Sequence, residues 1–166
     1  MTSRFDGDEA KIEDFRLPAS TGHTLSFESF RGKVPLVIVF VPDADTSQST
    51  SLLEELDRRH ADFGSERAQV LAVTKDTARG VRELADQRGF SIPILADASG
   101  AMARQFAVAD TGVSALVADK EGRIERRWDP LLDNATDPAP MVDSLLDTLR
   151  AMDRSSAPAT DDDADS

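Results

Sequence analysis

Residues 34–63, VPLVIVFVPDADTSQSTSLLEELDRRHADF, read as a buried strand, a short loop and an amphipathic helix. The opening run VPLVIVF is rich in Val, Ile and Leu and does not alternate with polar residues. That pattern predicts a strand covered on both faces, as in the middle of an α/β sheet. The loop after such a strand is where α/β proteins keep their chemistry. Here it leads through Pro42, Asp43, Asp45 and Thr46 to Ser49, with no cysteine, histidine or glycine-rich cradle. Thr46 is placed to cap the helix, which puts Ser49 in the first turn near the positive end of the helix dipole. Leu52, Leu53, Leu56, His60 and Phe63 share one helical face, while Glu54, Glu55, Asp57, Arg58 and Arg59 face away. His60 lies roughly 16 Å along the helix from Ser49 at the usual rise per residue. The two cannot form a base and nucleophile pair, and His60 is expected to pack along the core edge.

Working outward, Phe15 and Leu17 alternate with charged neighbours, Thr21 and Gly22 mark a turn, and 24–27 read as a second strand, giving an amino-terminal hairpin. A helical turn around Ser29 and Phe30 ends at Gly32. After the central helix come a strand at 69–74, a helix capped by Asp76 and ending near Gly89, and a short strand at 92–95 that Pro93 places at a start or an edge. A small helix with Met102, Ala103 and Phe106 follows. Strands at 113–118 and 123–128 flank the turn DKEG, an antiparallel hairpin signal. The last helix, about 140–152, turns Met141, Leu145, Leu146, Leu149 and Met152 inward. Residues 1–11 read as a polar arm, 12–154 as one domain, and 155–166 as an acidic disordered tail. The order suits an α/β fold with a central mixed sheet and helices on both faces, such as a thioredoxin-like fold.

The totals narrow the function. A chain of 166 residues with 40% hydrophobic content supports one domain with its own core. With no apolar run of membrane-spanning length and an acidic amino terminus, the expected location is the cytoplasm. The formal net charge is −12, from 31 acidic against 19 basic residues, so nucleic acid and anionic membranes are not expected partners. The acid is spread along the chain and the basic residues are mostly Arg, the composition of a halophile surface. Cysteine is absent, which removes disulfides, thiolate metal sites and thiol redox cycling. No cofactor is expected. Asp43 and Asp45 are read as solvated rather than as a cation site, and the run 161–163 lacks the spacing of a calcium loop. Trp128 is read as either an interface or a core residue.

Several stretches carry a family resemblance through their order and spacing: DFRLPASTGHTLSFESFRGK, PLVIVFVP, QVLAVTKD, FSIPILAD with SGAMARQFAV behind it, and ALVADKEGRI. Over about 14–128 the chain resembles a peroxiredoxin of the AhpC/TSA type, closest to the bacterioferritin-comigratory (PrxQ) branch. The resemblance implies a thioredoxin-like central mixed sheet flanked by helices, with an N-terminal β-hairpin. It also implies a PxxxTxxC motif at the first turn of the helix after the central strand. Pro42, Thr46 and Ser49 fit that spacing, so serine stands at the position of the peroxidatic cysteine. The family's glutamate corresponds to Leu52, its active-site arginine to Val113, and no resolving cysteine exists.

A thiolate attacks the O–O bond of a peroxide and becomes a sulfenic acid, which a second thiol reduces. A serine oxygen has no such oxidation ladder, and valine cannot stabilise a thiolate or a developing charge. A classical peroxidase cycle at Ser49 is therefore chemically excluded. An engineered Cys-to-Ser change would account for Ser49 but not for Leu52 and Val113, so a natural loss of the site is the reading. Three functions are expected in turn: a binding or regulatory pseudoenzyme for a protein partner or small ligand; a serine-dependent enzyme using Ser49; or an accessory partner of an active peroxiredoxin in oxidative-stress defence. A homodimer through the family's edges is allowed.

Overall fold

A computed structural model of the chain describes residues 12, 15–41, 47–106, 113–132 and 139–165, with backbone alone at 47–48, 129–132 and 153–165. The strands are β1 (Arg16–Pro18), β2 (Thr24–Ser26), β3 (Leu36–Phe40), β4 (Gln69–Thr74), β5 (Ile94–Ala96), β6 (Val113–Ala118) and β7 (Ile124–Leu132). The helices are α1 (Ser47–Arg58), α2 (His60–Ser65), α3 (Ala78–Arg88), α4 (Ala101–Gln105) and α5 (Ala139–Asp165). A single 3-10 turn, Phe27–Ser29, follows β2.

The main sheet runs β5-β4-β3-β6-β7, so the run LVIVF is its central strand. β4 lies parallel to β3 on one side and to β5 beyond it, while β6 lies antiparallel to β3 on the other side. Side chains of β3 alternate between two cores. Val37 and Val39, with Val41 just beyond, join Leu52, Leu53 and Leu56 of α1, Phe63 of α2, Val81 of α3 and the leucines of α5. Leu36, Ile38 and Phe40 join Phe15, Phe27 and the α4 residues Met102 and Ala103. All five β3 residues are buried, each burial giving on the order of 1.5–3 kcal/mol, so the unbroken apolar run follows from a sheet covered twice.

The amino-terminal hairpin β1-β2 pairs antiparallel and covers the outer edge of β5. Ser20 makes that attachment: its N–H donates to the Ile94 carbonyl at 2.8 Å, and its Oγ accepts from the Ile94 N–H at 2.9 Å. At the opposite margin, the β6-β7 turn closes when Gly122 N–H donates to the Asp119 carbonyl at 2.9 Å. Gly122 has φ +90°, and the Phe27 ring fills the space a Cβ would need, so the turn requires glycine on both counts.

Several elements differ from the sequence reading. One expected helix is two, because it breaks at Arg59 and restarts at His60. His60 is exposed and does not line the core edge. Glu55 points inward, against the prediction, and is 6% exposed. The cap of α3 is Thr77, whose Oγ1 accepts the Gly80 N–H at 3.0 Å; Asp76 sits one residue earlier and accepts the Thr77 N–H at 2.7 Å. The short edge strand begins after Pro93, which lacks the donor a ladder needs. α5 runs Ala139–Asp165, past the end near 152 expected for the last helix. Extending an anchored helix costs far less than nucleating one, which composition alone does not register.

Candidate functional site

The candidate site lies where β3 ends and α1 begins. Val41 continues the strand line, donating its N–H to the Val73 carbonyl at 2.7 Å, and is fully buried. Pro42 and Thr46, together with Asp43 and Asp45, fall outside the described residues. Ser49 is the third residue of α1 and is 5% exposed. Its place in the first turn puts it at the positive end of the helix dipole.

Val113 approaches from the neighbouring strand β6, on the same face of the sheet as Val41. β6 pairs antiparallel with β3 so that Ser114 stands opposite Phe40, which sets Val113 beside the carboxyl end of β3. Val113 is 2% exposed, and Leu52, one turn beyond Ser49, is fully buried. Both belong to the same apolar cluster as Val41 and Leu53. Two of the positions where the resemblance calls for charge are thus part of the hydrophobic core. An arginine at 113 would be an ion inside that cluster, costly unless an anion lay beside it.

Neither histidine is brought to Ser49. His60 opens α2 on the surface, its Nδ1 facing the Asp57 carbonyl at 3.1 Å. His23 is exposed in the β1-β2 turn. The arrangement therefore supplies a hydroxyl at a helix start without a histidine base, and no thiol that a peroxide could oxidise to a sulfenic acid.

The orientation of α1 depends on polar residues that the sequence reading had turned to solvent. Asp57 Oδ1 accepts two successive backbone N–H groups, from Ser91 at 2.5 Å and Ile92 at 3.0 Å, tying the helix to the approach of β5. Glu54 pairs with Arg88 of α3 at 3.3 Å. Arg59 donates to Asp62 at 2.8 Å, Asp143 of α5 at 3.0 Å and Glu55 at 3.4 Å. Asp62 first, then Asp143, hold the Arg59 guanidinium above its ordinary range, so it stays charged. The spacing of Glu55, Arg59 and Asp62 along one helical face is the signal that charge patterning offered for this cluster.

On the opposite face of the sheet, α4 rests on Asp97. This carboxylate is 1% exposed, and its two oxygens accept the Met102 and Ala103 N–H groups at 3.0 and 3.1 Å. It thereby caps α4 from within the core. α4 presents Phe106 to Phe40, ring centroids 5.6 Å apart, and the Phe106 carbonyl accepts from Arg127 of β7 at 2.9 Å. Trp128 lies opposite Ala115 and packs partly buried against the core, with the Arg126 guanidinium 4.6 Å above its ring.

The family model for AhpC/TSA matches residues 7–127. The chain belongs to the AhpC/TSA family. A Mycobacterium tuberculosis protein whose name places it among the peroxiredoxins is 31% identical over 97 residues, 58% of this chain and 63% of that protein. The match thus spans under two thirds of that relative's length. Among solved structures, the peroxidoxin BcpB of Mycobacterium tuberculosis superposes with a TM-score of 0.77 at 25% identity, covering 86% of this chain and 95% of that one. Peroxiredoxin Q of Xanthomonas campestris superposes with a TM-score of 0.75 at 22% identity, covering 82% and 90%. This AhpC/TSA member therefore has the thioredoxin-like peroxiredoxin fold, including the N-terminal antiparallel hairpin, and carries no cysteine.

Proposed function

We propose that this AhpC/TSA protein is a binding or regulatory pseudoenzyme: a peroxiredoxin scaffold of antioxidant ancestry that has left thiol peroxidase chemistry. One observation carries the reading. Serine occupies position 49 at the start of α1 in a chain with no cysteine, where the resemblance calls for the attacking thiolate. Val113 at the arginine position and Leu52 at the glutamate position support it, because both are buried apolar side chains. A hydroxyl in such surroundings can neither be oxidised stepwise nor be drawn toward its anion. Serine-dependent hydrolysis has no histidine near Ser49 to serve it.

The protein works in the cytoplasm in this reading and acts on a protein partner or a small ligand, with an active peroxiredoxin among the candidate partners. A homodimer is compatible with it, which sedimentation in native salt would test. The direct test is peroxide consumption with thioredoxin or dithiothreitol as reductant. The expected rate equals the no-protein control, and turnover well above that control would overturn the proposal. A serine-directed fluorophosphonate is expected to leave the protein unlabelled; labelling that disappears in Ser49→Ala would favour the hydrolase instead.

A further inference from the structure

We draw no further inference here: the strongest candidate, the open groove between the start of β7 and the middle of α5 bordered by Asp119, Arg123, Glu125, Arg126 and Asp147, presents charges of both signs, and nothing in the structure shows what covers it.

Discussion

The Arg59 guanidinium donates to the Asp143 carboxylate across 3.0 Å, joining residues 84 apart in sequence. It does so at the break between α1 and α2, while also holding the buried Glu55. The helix that carries Ser49 is thus oriented partly by a surface ion cluster and partly by its leucines.

Removing that hub should cost stability. Arg59→Met leaves Glu55, 7% exposed at its side chain, with Arg58 as its remaining cation partner among the described residues. The expected loss is about 1–3 kcal/mol, read as a lower urea midpoint. Asp143 is 60% exposed, so Asp143→Asn alone should cost no more than about 1 kcal/mol. Equal losses from the two variants would show that Glu55 does not depend on Arg59.

Glycine at position 80 carries a second, less intuitive expectation. In an exposed helix Gly→Ala gains about 1 kcal/mol. Here the Asp76 carboxylate occupies the place a Cβ would take. It must rotate away, giving up its 2.7 Å bond from the Thr77 N–H. Gly80→Ala should therefore leave the melting temperature nearly unchanged, whereas the same change in an Asp76→Ala background should raise it. Additive effects in the double-mutant cycle would refute the contact.

Restoring sulfur alone should not restore chemistry. Ser49→Cys places a thiol in a buried position, with the buried Val113 where the resemblance calls for arginine. Burial raises a thiol's pKa from about 8.5, against the smaller opposing pull of the helix start. Iodoacetamide alkylation of the variant should therefore show a pH midpoint above about 8, with no peroxide turnover. A midpoint below about 7 would mean that the site still activates a thiol without the arginine. The double variant Ser49→Cys with Val113→Arg should melt lower than either parent unless the thiolate forms and pairs with the new cation.

The net charge of −12 leads to a salt prediction. Raising salt from 0.1 M to 1 M shortens the screening length from about 10 Å to about 3 Å. Repulsion among the spread carboxylates falls faster than the contribution of close ion pairs, so the melting temperature should rise between these two KCl concentrations. A fall would show that the surface pairs, such as Arg31 with Glu28, outweigh the repulsion, and the halophile reading would be lost.

The parts legible in the sequence were those governed by local rules. The unbroken LVIVF run announced a central strand, Gly89 with its left-handed φ of 71° ended α3, and DKEG turned β6 into β7. Illegible parts depended on distant partners. Glu55 sits at the border of the apolar stripe of α1, and its pairing with Arg58 and with Arg59, the latter itself anchored by α5, makes its burial tolerable. Asp57 similarly owes its role to backbone groups of residues 91 and 92, which no helical period announces. The spacing of Pro42, Thr46 and Ser49 carries the resemblance to the family motif in the sequence alone. That Val113 would lie inside a core cluster beside Val41 and Leu52 required the register of β6 on β3.

That register has a consequence during synthesis. β4 and β5 can join one side of β3 as soon as they leave the ribosome, but β6 follows only after α4 has been made. Until then the growing chain exposes the second edge of its most apolar strand, and an open apolar edge is a template for pairing with other chains. Any aggregation during production should therefore peak in chains halted between α4 and β6, and a pulse-chase of stalled nascent chains would locate it. The segment that decides the fold is also, for that interval, its most exposed liability.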